Sequence, residues 1–124
     1  MTTTITICDT CKRDGWDAEA DPSTDGEKLA ALVEAAAEGA HDVATRRHSC
    51  LMGCSHGCNI AIQAQGKLTY VLGRFEPTEE AAGGIVDYAT AHAESETGQV
   101  PFRQWPQAVK GHFVSRIPVV PGDG

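Results

Sequence analysis

The chain has 124 residues, of which 41% are hydrophobic, 22% charged and 6% aromatic, and its formal net charge is −7 at pH 7. A chain of this length buries roughly two thirds of the surface it exposes when unfolded, which suits one core without obligatory staples and leaves little room for two domains. No apolar run approaches the roughly 20 residues needed to cross a bilayer, MTTTITIC lacks the basic start of a signal peptide, and the acidic balance disfavours nucleic acid. The expectation is a cytoplasmic protein whose main partner is neither nucleic acid nor membrane.

Residues Thr3 to Cys8 alternate, Ile5 and Ile7 on one side and Thr4 and Thr6 on the other, the period of a half-buried strand. Cys11 to Thr24 is polar, holds Gly15 and Pro22, and reads as a loop. Ser23, Thr24 and Asp25 offer N-caps to a helix whose apolar face is Leu29, Leu32, Val33 and Ala36 and which Gly39 closes. Asp42 to Arg47 has the look of a short strand, and CLMGCSHGC follows as a glycine-punctuated loop.

Asn59 to Ala64 and Lys67 to Leu72 are strand-like runs joined by Gln65-Gly66, which predicts an antiparallel hairpin with a two-residue link. Pro77, Thr78, Glu79 and Glu80 start a second helix, with carboxylates at the positive end of its dipole. Ala82, Ile85, Val86, Ala89 and Ala93 mark its buried face. Gly83 and Gly84 each cost roughly 1 kcal/mol in such a helix, so a close packing contact should compensate. Beyond Gly98 come Pro101, Pro106, Pro118 and Pro121, with one short helix expected from Pro106 to His112. The domain should span 1–98, and 99–124 should be a tail packed on it. Trp16, Trp105, Tyr70, Tyr88 and Phe102 read as packing residues.

This order, strand, helix, strand, hairpin, helix, predicts a small α/β fold. A right-handed crossover through the first helix makes the first two strands parallel, with their C-terminal ends at one edge of the sheet. All five cysteines fall near that edge: Cys8 and Cys11 after the first strand, and Cys50, Cys54 and Cys58 after the second. An odd count at about 4% of the chain is not a disulfide scaffold, and in a reducing compartment such clusters are metal ligands or redox groups. Four thiolates suit either a [2Fe–2S] cluster or zinc. The C-x3-C-x3-C spacing and the long gap between clusters are unlike a zinc ribbon, and Gly53 and Gly57 would let backbone approach a cluster's bridging sulfides.

Residues 40–75 carry one acid and four bases in an otherwise acidic chain. Arg46 and Arg47, just before Cys50, would favour thiolates and an anionic cluster, or would simply solvate a sheet edge. His48 and His56 flank the ligand loop as second donors behind the thiolates or as surface residues. His41, His92 and His112 are scattered and suggest no role. No G-x-S-x-G, P-loop or dinucleotide fingerprint occurs, so any flavin or nicotinamide would belong to a partner.

Cys50-Leu51-Met52-Gly53-Cys54, followed by the NIAIQA run, resembles the CLGxC element of the thioredoxin-like [2Fe–2S] ferredoxins, which include the small cluster-bearing subunit of NADH dehydrogenases. ICDTC, after the first strand, stands where that family has its first two ligands. The whole chain also resembles a family of short bacterial proteins described only as predicted metal-binding, some associated with cobalamin biosynthesis. The ferredoxin resemblance covers roughly residues 3–95.

It implies a thioredoxin-like fold with Cys8, Cys11, Cys50 and Cys54 as iron ligands. Cys8 and Cys11 are closer together than in those ferredoxins, and Cys58 stands near their usual proline. Cys58 therefore either replaces Cys11 or remains a fifth thiol. The implied function is that of a non-enzymatic electron carrier serving a redox partner protein, and the ferredoxins it resembles are often homodimers. The alternatives are a zinc protein with a structural or delivery role and a dithiol oxidoreductase using C-D-T-C where thioredoxins have their active site. Against the oxidoreductase, KRDGWDAEADP follows the second thiol instead of a helix N-terminus.

Overall fold

In the protein's structure, a computed structural model, residues 2–8, 24–40, 42–48 and 59–119 are described. The first strand, β1 (Thr3–Cys8), sits inside the sheet, where alternating β-branched residues are covered on both sides. It runs parallel to β2 (Val43–His48), from Thr3 opposite Val43 to Cys8 opposite His48. Between them lies α1 (Asp25–Ala37), the crossover that a parallel pair requires. Thr24 is its N-cap: Glu27 N–H donates to Thr24 Oγ1 at 3.1 Å, and the Glu27 carboxylate accepts from Thr24 N–H at 3.5 Å. Leu29, Ala30 and Val33 are buried and Leu32 partly so, but Ala36 is exposed, and in the last turn it is Ala37 that packs against the core.

On the other side of β1 runs β3 (Ile60–Gln63), antiparallel, with Ile7 opposite Ile60 and Thr4 opposite Gln63. It pairs with β4 (Thr69–Leu72), and the two strands are shorter than the sequence pattern suggests. Gln65 and Gly66 do form the turn, closed by Lys67 N–H to Ala64 O at 3.2 Å with Gly66 at a φ of +75°, but the ladder resumes only at Thr69. Lys67 and Leu68 are diverted to the end of α2 (Glu79–Glu94). Leu68 N–H donates to Thr97 O at 2.9 Å, and Lys67 Nζ donates to the terminal carbonyls of His92 and Ala93 at 3.0 and 2.6 Å. A buried ammonium thus satisfies the negative end of the helix.

The segment expected to be a tail completes the sheet. Phe113–Ile117 forms β5, antiparallel to β4 with a register shift at Val71/Leu72, and the strand order is β2-β1-β3-β4-β5. The expected helix from Pro106 to His112 is instead a single 3-10 turn, Gln107–Val109, and a second such turn, Phe102–Gln104, precedes it, each following a proline. This is a small thioredoxin-like α/β arrangement: a mixed sheet carrying both helices on one face.

The core lies between that face and the helices and includes Ile5, Ile7, Leu29, Val33, Ile60, Ile62, Leu72, Ile85 and Tyr88. The expected face of α2, Ala82, Ile85, Val86, Ala89 and Ala93, is buried throughout. The close contact expected at the paired glycines exists at Gly84 alone, where a Cβ would come within 2.6 Å of Ala108 Cβ, while Gly83 faces open space. Tyr70, Tyr88 and Trp105 pack with Phe113 in one aromatic cluster, whereas Phe102 is 63% exposed. Trp16 lies outside the described residues. Among the described residues, no helix is long and apolar enough to cross a membrane.

Candidate metal centre

Strand alternation turns Thr3, Ile5 and Ile7 toward the helices and Thr4, Thr6 and Cys8 toward the opposite face. Cys8, the last residue of β1, is fully buried there. Its in-register neighbour on β2 is His48, on the same face and exposed. On the other side, Cys8 N–H donates to Asn59 O at 3.1 Å, and Asn59 is itself buried. β1, β2 and β4 end at this edge and β3 begins there. The last turn of α2 reaches Thr3 at the far end of β1, so α2 starts on the Cys8 side, with Thr78 as its N-cap and the positive end of its dipole there.

Cys11, Cys50, Cys54 and Cys58 lie outside the described residues, as do His56 and His41. In sequence, Cys11 follows Cys8 by three residues, Cys50 follows His48 by two, and Cys58 directly precedes Asn59. The two parallel strand ends that carry Cys8 and lead to Cys50 are thus adjacent, as the crossover predicts. Among the described residues alone, no three His, Cys, Asp or Glu side chains come together in a way that could hold a metal ion.

The two arginines before Cys50 have different surroundings. Arg47 makes a bidentate pair with Glu34 of α1 at 2.8 and 3.0 Å, and its hydrogen bonds hold the Glu34 carboxyl below the usual range. Much of its charge is therefore matched on the helix side. Arg46 turns to the other face, donating from Nε to Thr6 Oγ1 at 2.7 Å and from Nη2 to Gln63 Oε1 at 3.0 Å.

Two histidines without an expected role prove structural. His92 Nε2 lies 2.7 Å from Leu68 O and must donate to it, so Nδ1 accepts from Thr3 Oγ1 at 2.8 Å. Burial lowers the His92 pKa, and the nearby Lys67 ammonium acts in the same direction. Its position one turn beyond Tyr88 and Ala89 and two beyond Ile85 on the apolar stripe of α2 is the sequence signal for burial. His112 stacks on Phe75, centroids 4.4 Å apart, with Nδ1 2.9 Å from Gly73 O.

The family model described as "Protein of unknown function (DUF1636)" matches residues 5–119. No curated protein and no solved structure matches the chain.

Proposed function

The chain belongs to this family of proteins of unknown function, and from that premise we propose that it is a ferredoxin-like electron carrier holding one [2Fe–2S] cluster on cysteines at the Cys8 edge of the sheet. The observation that carries the reading is the register of the parallel pair, Cys8 opposite His48, with Asn59 hydrogen-bonded on the other side. At no more than about 3.6 Å per residue, the chain keeps Cys50 within about 7 Å of His48 and Cys11 within about 11 Å of Cys8. Cys58 is bonded directly to Asn59. Thiolate donors from three stretches of chain are thereby tethered to one edge.

Burial by itself disfavours the Cys8 thiolate, so a metal's positive charge would be what stabilises it, and the positive end of α2 on this side of the sheet acts in the same direction. A bound cluster would supply reversible one-electron chemistry, and its potential would respond to hydrogen bonds and burial. The protein's own residues hold the thiolates and exclude solvent, turning over no substrate. Its partner would be a redox protein.

The ligands proposed are Cys8, Cys11, Cys50 and Cys54, with Cys58 as the alternative to Cys11. Anaerobic purification followed by assay of iron, acid-labile sulfide and zinc tests the reading. Equal iron and sulfide in a red-brown protein is the expected result. Stoichiometric zinc in a colourless protein would replace it with a structural or delivery role for zinc. A metal-free protein whose Cys8–Cys11 pair cycles with a dithiol would replace it with an oxidoreductase.

A further inference from the structure

The face of the sheet opposite the helices carries a second polar constellation, built around Arg46. Thr6, only 2% exposed, accepts from Arg46 Nε and donates its own proton to Gln63 Oε1 at 3.3 Å, while Gln63 Oε1 also accepts from Arg46 Nη2. The three side chains come from adjacent strands, β1, β2 and β3, so the guanidinium is fixed by the sheet itself.

These bonds occupy the side of the guanidinium formed by Nε and Nη2. The other side, with both Nη1 protons and the second Nη2 proton, remains as a planar fork matched to two oxygens of one ligand. Both partners of Arg46 are neutral, and among the described residues it forms no ion pair. Its neighbour Arg47, by contrast, is matched by Glu34. In a chain of net charge −7, this arginine is held by the sheet and faces no carboxylate among the described residues.

Beside it lies a shallow depression of ≈ 380 Å³ lined by Thr4, Gln63, Ala64, Gln65 and Thr69 as well as Arg46. Among the described residues its lining carries hydroxyl and amide donors and no acid. The oxygen of Gln63 is engaged by Thr6 and Arg46, which leaves its NH2 group for a ligand.

We propose that this depression binds a small oxyanion, a carboxylate or a phosphate group, through the free fork of Arg46. Preorganisation by Thr6 and Gln63 lowers the ordering cost that a mobile surface arginine would meet on binding. The site is two residues along β1 from Cys8, about 7 Å, and it stands whether or not the cysteines hold a metal.

Calorimetric titration of the purified protein with inorganic phosphate and, separately, with succinate tests the site, with ionic strength held constant by sodium chloride and amide shifts locating the response. Saturable binding of either probe, with shifts at Thr6, Gln63 and Thr69, is expected, and the tighter probe identifies the ligand class. Arg46→Gln should abolish binding, Arg46→Lys should weaken it roughly tenfold because the planar fork is lost, and Thr6→Val should weaken it by freeing the guanidinium. Arg47→Gln should leave it unchanged. Absence of saturable binding by both probes, or equal affinity in wild type and Arg46→Gln, would overturn the proposal.

Discussion

Thr3 Oγ1 and His92 Nδ1 lie 2.8 Å apart, joining the first residue of β1 to the last turn of α2 inside the core. The same imidazole reaches Leu68 O, so one side chain connects β1, the turn after β3 and the second helix. Replacing it leaves a cavity, an unpartnered carbonyl and an unpartnered hydroxyl. His92→Ala should therefore lose about 2–4 kcal/mol of stability in urea unfolding. A loss below about 0.5 kcal/mol would mean that the linkage contributes little.

The same residue gives a pH dependence of known sign. Burial lowers the His92 pKa in the folded protein, so the unfolded chain takes up a proton first as pH falls. The contribution is fully present above about 6.5, the ordinary histidine value, and is lost as pH drops below it toward the folded pKa. The stability difference between wild type and His92→Gln should accordingly narrow between about pH 7.5 and about pH 5. A constant difference across that range would contradict the assignment.

The paired glycines of α2 should respond in opposite directions. Gly83 faces open space, so Gly83→Ala should stabilise by up to about 1 kcal/mol through helix propensity alone. A Cβ at Gly84 would come within 2.6 Å of Ala108 Cβ, which requires the 3-10 segment to move. Gly84→Ala should be net destabilising by about 1–3 kcal/mol despite the same propensity gain. Thermal melts of the two variants decide the point, and equal stabilisation would show that the contact yields freely.

Tyr88 is fully buried, and its hydroxyl finds no hydrogen-bond partner among the described residues. Burial, with Tyr70 adding to it, raises the phenol's pKa, so the group stays neutral. Because the hydroxyl is desolvated on folding without a replacement bond, Tyr88→Phe should be neutral or stabilising by about 1 kcal/mol. A loss of more than about 1 kcal/mol in urea unfolding would reveal a partner for the hydroxyl.

Features set by local chemistry were legible in the sequence: alternation in Thr3–Cys8, the Thr24 and Thr78 caps, the Gln65-Gly66 turn and the apolar stripe of α2. The meeting of strand ends at Cys8 and His48 was legible too, since a right-handed crossover leaves few other arrangements. β5 was not. Phe113–Ile117 lies among prolines, and Val114 and Ile117 remain exposed, so no alternating pattern marks it, and pairing with β4 decides its conformation. Nor was the fate of the arginines legible, because the Arg47–Glu34 and Arg46–Gln63 contacts join residues on different elements. The short helix expected after Pro106 stops at one 3-10 turn, as Gly111 and the start of β5 follow at once.

The proposed cluster at the Cys8 edge is tested by iron and acid-labile sulfide per chain in anaerobically purified wild type, Cys8→Ser and Cys54→Ser, with circular dichroism confirming that each variant is folded. Equal iron and sulfide in the wild type and their loss from both folded variants are expected if cysteine thiolates hold the cluster. Full iron and sulfide in folded Cys8→Ser, or a wild type with neither, would rule out a cluster held at this edge.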